Sequence, residues 1–289
     1  MTRTLLLLGL LLLGMTGCED AFTTVIDADP PPFTRKMVVH AWCDDTPDAA
    51  QSLILETNRN IFDAFDQNRP ITDATSEILE DGVVVGSFQH DLAPPDNEYA
   101  TGTANVFNKV GAEYTLRIQA PGMPDAEARQ YLPAPVEISD ALFVPELTVD
   151  EDGYRVNGFK VTFADSPKTN DYYLLECFEK GQGQYRVYLD SNDPYVQTVN
   201  DGFVLIQDEG NDGFDQTFEV YAYSANEFTD YEFILRHISK DVFQYLLSID
   251  RYVNNDIDFF SEPSFVNSNI QNGLGIFSLS SKTVKDVRK

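Results

Sequence analysis

The chain has 289 residues, a formal net charge of −27, 12% aromatic residues and three cysteines. A body this acidic repels nucleic acid and anionic lipid head groups, which excludes both as direct partners. It suits a solvated acidic surface, a cation-rich partner or a salty habitat, and its length allows one large or two ordinary domains.

The first element is a leader. Arg3 precedes an apolar run over residues 5–13, and Met15, Thr16 and Gly17 lead directly to Cys18. A charged start, a short apolar stretch and small residues before a cysteine make a secretory signal of the lipoprotein type, cut before Cys18. The run is too short to span a bilayer, which takes ~20 residues as a helix. Residues 1–17 are therefore expected to be removed, and the thiol of Cys18 to carry lipid as a membrane anchor. Loss of Arg3 takes the mature charge from −27 to −28. Residues 18–35 form a tether that passes through Pro30, Pro31 and Pro32.

From Lys36 the apolar period is two. Met37, Val39 and Ala41 alternate against Val38, His40 and Trp42, and residues 52–57 continue the pattern. Residues 78–88 break at Glu80, Asp81 and Gly82, an Asp-Gly hairpin signal. Tyr114, Leu116 and Ile118 make a further strand, ended by Pro121 and Gly122. These elements predict a β-sandwich over residues 36–135, closing near Pro133 and Pro135.

Residues 136–289 predict a second antiparallel β domain. Its strand candidates are residues 141–149, 154–163, 172–178, 185–189, 203–206, 214–223 and 231–236, joined by turns such as Asp152-Gly153. One amphipathic helix is expected over 239–252: Ser239 is an N-cap, and Val242, Phe243, Leu246, Leu247 and Ile249 recur at helical spacing. Its apolar stripe packs on the second sheet or binds a partner. An Asn/Gly-rich loop over 259–275 follows, then a closing strand over 276–284. The fold class is mainly β, two antiparallel sandwich-like domains with one C-terminal helix.

The sequence carries no catalytic constellation. His40, His90 and His237 share no metal-ligand spacing, and no Gly-x-Ser-x-Gly elbow, phosphate loop or His-Glu-x-x-His helix occurs. Carboxylates are so numerous that a hydrolytic pair cannot be picked out without spatial separations. Asp208, Asp212 and Asp215 crowd one acidic turn and are the candidates for calcium, with plain turn chemistry as the alternative. No other cofactor is expected. Cys43 and Cys177 are expected as buried free thiols, with a disulfide in an oxidising compartment as the alternative. Phe259, Phe260, Phe265, Asn269, Asn272 and Gly273 lie on the long loop, the position of a partner or ligand site or of a cover over helix and sheet edge.

The order of features resembles a known group of lipoproteins. It runs from the lipidation cysteine and Val25-Ile26-Asp27 through Glu80-Asp81-Gly82-Val83, Ala120-Pro121-Gly122, the 133–135 crossing and Asn170-Asp171-Tyr172-Tyr173. It continues to Ile238-Ser239, Ser261-Glu262-Pro263 and Asn269-Ile270-Gln271-Asn272-Gly273-Leu274-Gly275-Ile276-Phe277. This resembles the Bacteroidota lipoproteins catalogued as domain of unknown function 4249, over nearly the whole chain. The sparse acidic stretch from Asn192 to Asp215 departs from the pattern, as does Met15 in the lipid signal. The resemblance implies an outer-membrane lipoprotein whose first domain is of the transthyretin or carboxypeptidase-regulatory type. It also implies a TonB-dependent outer-membrane receptor as partner. Acidic residues after the lipidated cysteine look like an export signal in this group, so Glu19 and Asp20 imply the cell surface. No catalytic residue is carried over, and no enzymatic activity is expected. The expected role is a binding or accessory subunit of a nutrient transporter, with a structural or adhesive surface protein as alternative and a hydrolase behind both.

Overall fold

In the computed structural model the described residues are 32–49, 51–60, 70–90, 98–101, 105–150, 152–164, 169–181, 185–199, 202–208, 215–255 and 265–289. Cys18, Glu19, Asp20, Asp212, Phe259 and Phe260 lie outside them, as does the leader. Arg35–Lys289 forms one compact unit.

The first half runs β1 (Met37–Asp44), β2 (Ser52–Thr57), β3 (Thr75–Glu80), β4 (Val83–Gly86), β5 (Phe88–His90), β6 (Glu98–Thr101), β7 (Glu113–Gln119) and β8 (Ala126–Tyr131). The Asp-Gly hairpin forms between β3 and β4, with Asp81 and Gly82 both at positive φ. Strand β8 was not read from the sequence. Its core-facing residues include Ala126 and Ala128, which pack closely but give little hydrophobic alternation.

The second half runs β9 (Ile138–Val149), β10 (Arg155–Ala164), β11 (Tyr172–Glu179), β12 (Arg186–Val187), β13 (Val196–Thr198), β14 (Val204–Gln207), β15 (Asp215–Tyr221) and β16 (Tyr231–Ile238). Helix α1 (Lys240–Asn255) and β17 (Gly273–Asp286) complete it. The class is mainly β, as the alternation predicts. Ser239 caps α1, its hydroxyl accepting from Val242 N–H at 3.4 Å, and Asp241 sits in the first turn where the helix dipole favours an anion. The helix lies between β16 and β17. Among the described residues no helix is long and apolar enough to cross a membrane.

Three sheets are present among the described residues. A ten-stranded sheet has the order β13-β14-β11-β16-β17-β1-β2-β6-β5, with β12 also on β11. A four-stranded sheet, β4-β3-β7-β8, shares a core with its first-half strands, and a three-stranded sheet, β15-β10-β9, with its second-half strands. One core joins Met37, Val39, Ala41 and Leu55 to Ile78, Tyr114 and Leu116. The other joins Tyr173, Leu175 and Phe233 to Phe143, Phe159 and Phe218, with the Phe159 ring edge-on to both Tyr231 and Phe233.

The first core takes residues up to Leu132 together with Ile270, Phe277 and Leu279, the second begins at Val136, and the large sheet runs through both. Strand β17 lies parallel to β1, Met37 opposite Gly273 and Asp44 opposite Ser280, and gives Phe277 and Leu279 to the first core. Local alternation reveals a strand but not a partner so distant in sequence. For the same reason the long loop is shorter than expected: β17 starts at Gly273, inside the 259–275 span. Gly275 makes the close pairing possible. Its φ is +100°, and a Cβ there would lie 2.1 Å from the Val39 carbonyl oxygen.

Candidate functional site

Side chains alternate across a sheet, so the residues between those of the two cores emerge on the opposite face. On that face α1 sets Val242, Phe243 and Leu246 against Tyr172, Leu174, Leu205, Ile238 and Ile276. The helix covers only part of the face. Further along the same strands come Trp42 and Asp44 of β1, Ser278 and Ser280 of β17, Arg236 of β16 and Glu176 of β11, with Arg186 of β12 beside them.

Four of these side chains form a row of alternating charge. Asp44 Oδ2 accepts from Arg236 Nη1 at 2.7 Å, and Arg236 Nε donates to Glu176 Oε2 at 3.2 Å. Glu176 Oε1 then accepts from Arg186 Nη2 at 2.7 Å. Glu176 is the most deeply placed, its side chain 8% exposed. A carboxylate at that depth is tolerable because two guanidiniums neutralise it. Burial acts to raise the Asp44 pKa, but bonds from Thr46 and Arg236 outweigh it and hold the carboxyl below its usual value. Burial likewise opposes the charge of Arg236, and Asp44 and Glu176 more than restore it.

Above the row is a pocket of about 400 Å³. Trp42, 44% exposed, stands on one side with its ring 6.2 Å from that of Tyr245. Phe203 and Phe178 lie on the Arg186 side, their ring centroids 5.9 and 5.6 Å from its guanidinium carbon. Leu174, Ile238 and Leu246 add apolar wall. The pocket thus combines a neutral polar floor with aromatic and aliphatic sides, the composition of a small-molecule site.

Both carboxylates are engaged by guanidiniums, and Ser280 donates to the Cys43 carbonyl at 3.4 Å. Burial pushes the thiols of Cys43 and Cys177 well up, and both are free and buried, in separate cores. His237 serves structure elsewhere. Its Nδ1 lies 2.8 Å from the Ala134 carbonyl and its Nε2 3.3 Å from Asp171, tying the crossing between the cores to β16.

The loop residues singled out from sequence are mostly engaged with the body. The Asn269 amide pairs with the backbone of Phe277, Asn272 donates to the Asp125 carbonyl at 3.1 Å, and Gly273 opens β17 opposite Met37. Phe265 alone among the described ones stands out, 88% exposed. At the acidic turn Asp208 is buried and accepts from Gln216 at 3.1 Å, while Asp215 begins β15. No group of three metal-ligating side chains occurs among the described residues. At Asp150 the carboxylate accepts from the backbone of Asp152 and Tyr154, which is turn chemistry.

The pocket residues were missed in the sequence. Their signal was present: Glu176 interrupts the apolar run from Tyr172 to Phe178, and Arg236 follows directly on Phe233, Ile234 and Leu235. A charge in such a run must find a partner.

A family model described as "Domain of unknown function (DUF4249)" matches residues 19–286. No curated protein matches the chain.

Proposed function

The chain belongs to the DUF4249 domain family, and on that premise we propose that it is a lipid-anchored binding protein that assists a TonB-dependent transporter of the outer membrane. In this reading Cys18 carries the lipid, and Glu19 and Asp20 direct the protein to the cell surface. The tether holds the acidic body away from the membrane, and the body presents its pocket to a nutrient that the receptor imports. The observation that carries the reading is the pocket over the Asp44–Arg236–Glu176–Arg186 row, a prebuilt site whose charged groups are engaged in holding one another rather than poised for proton transfer.

The test is to purify the tagged, full-length protein from detergent-solubilised outer membranes. An outer-membrane receptor is expected to co-purify, and deletion of the gene is expected to slow growth on one nutrient. Purification of the protein alone, with unchanged growth on every carbon and nitrogen source, would overturn the proposal.

A second reading, a structural or adhesive surface protein, has its own support. Strand β4 is an edge of its sheet, and Val83, Val84 and Val85 on it are all exposed. An uncovered apolar edge invites pairing with another chain. Loss of attachment with intact nutrient uptake in the deletion strain would favour it.

A further inference from the structure

We infer that the pocket beside Trp42 binds a neutral saccharide, a mono- or disaccharide or the end unit of a longer glycan. The inference takes from the proposed function only that this pocket is a binding site; it needs neither the anchor nor the receptor.

Charge carries the first step. Asp44, Glu176, Arg186 and Arg236 sum to zero, and each is bonded to an opposite neighbour. A charged ligand would leave one unbalanced charge in a half-buried site or would have to break an internal pair. At longer range the chain, at −27, repels anions. At the pocket itself a cation could reach Asp44 or Glu176 only by displacing the guanidinium already paired with it. A ligand neutral overall avoids all of these costs.

Hydrogen bonding carries the second. Arg236 uses Nε and Nη1 of its five N–H donors in the row, and Glu176 accepts from Arg236 and Arg186 with two of about four acceptor sites, while Asp44 accepts from Thr46 as well as Arg236. The floor therefore offers donors and acceptors in alternation. A hydroxyl is both donor and acceptor, so adjacent hydroxyls on a ring can bridge a carboxylate and its neighbouring guanidinium.

The third step is the wall. A pyranose has an apolar face of C–H groups and a rim of hydroxyls. The negative face of an aromatic ring attracts such C–H groups, and the half-exposed indole of Trp42 stands beside the charged row. Phe203 and Leu246 complete the apolar side. The volume, about 400 Å³, lies toward the small end of the range for ligand sites, about 300–1,000 Å³.

Trp42 is the single tryptophan of the chain, so intrinsic tryptophan emission reports on this pocket alone. The full-length protein in detergent should be titrated with maltose, cellobiose, lactose and N-acetylglucosamine, and in parallel with glucuronate, glutamate and lysine. At least one neutral sugar is expected to change the emission saturably, and the three charged probes to leave it unchanged. Calorimetry on Trp42→Ala and on Arg186→Lys, which keeps the cation beside Glu176 but not the guanidinium fork, should show affinity for that sugar weakened at least about tenfold, with melting temperature within a few degrees of the parent. The inference is overturned if none of the four sugars binds, if only a charged probe does, or if sugar binding survives Trp42→Ala. Receptor co-purification can succeed or fail independently of these results.

Discussion

Asn269 holds the backbone of Phe277 at both ends, its Nδ2 donating to the carbonyl at 2.8 Å and its Oδ1 accepting from the N–H at 2.9 Å. Pairing between β16 and β17 ends at His237 and Ser281, so the side-chain amide stands in for a strand that has already turned away. Asn269→Ala should destabilise the protein by about 1–3 kcal/mol, the cost of leaving buried polar groups unmade. Asn269→Asp keeps the acceptor but sets a carboxylate oxygen against the Phe277 carbonyl, so it should cost at least as much. Urea denaturation of the two variants gives the comparison.

Gly275→Ala should be far worse. A positive φ and a backbone oxygen 2.1 Å from the added carbon leave no side chain that can move aside. The expected cost exceeds about 4 kcal/mol, a value reserved for gross mechanisms of this kind. Soluble yield and thermal unfolding would reveal it. A variant that melts with the parent would refute the parallel pairing of β1 with β17.

Arg236→Met removes the cation between Asp44 and Glu176. Breaking a buried ion pair at one partner typically costs about 3–5 kcal/mol. The paired change Asp44→Asn with Arg236→Met should be less damaging than the sum of the single changes, by about 0.5–3 kcal/mol of coupling. Four chemical denaturation curves close that cycle, and simple additivity would mean that the Asp44 bond contributes nothing.

Acid should act through Asp44. Its carboxyl titrates below the ordinary value in the folded protein, so its contribution is full above the unfolded value of about 4 and is lost as pH falls through the folded one. Melting temperature measured from about pH 6 to pH 2 should therefore fall less steeply for Asp44→Asn than for the parent at the acid end. Identical slopes would show that Asp44 does not gain its charge stabilisation from Arg236 and Thr46.

Cys18→Ala should abolish incorporation of labelled palmitate and move the protein from the membrane to the soluble fraction. Retention of label would place the lipid elsewhere.

The strands were legible wherever one face is apolar and the other wet. Met37, Val39 and Ala41 show this, as do Tyr114, Leu116 and Ile118, and the helix announced itself through Ser239 and its stripe. What escaped were relationships between distant segments. Ala126 and Ala128 gave β8 too weak an alternation to be read. The Asn269-to-Gly275 run was distinctive because it must fit the body: Asn269 serves a neighbouring strand, and Gly275 admits the Val39 carbonyl. The pocket was hidden for a related reason. Asp44, Glu176, Arg186 and Arg236 lie on four strands, and only the sheet order makes them one row.

The adjacency of β1 and β17 also sets a timetable. The first core includes Phe277 and Leu279, so the sandwich begun at Met37 stays open along one edge of β1 until nearly every other described residue has been made. Such end-to-end pairing is slow to find and leaves an unpaired edge exposed meanwhile. The fourteen residues of β17 therefore act as the latch of folding, and a chain stalled before them would be a target for chaperones and proteases rather than a smaller working protein.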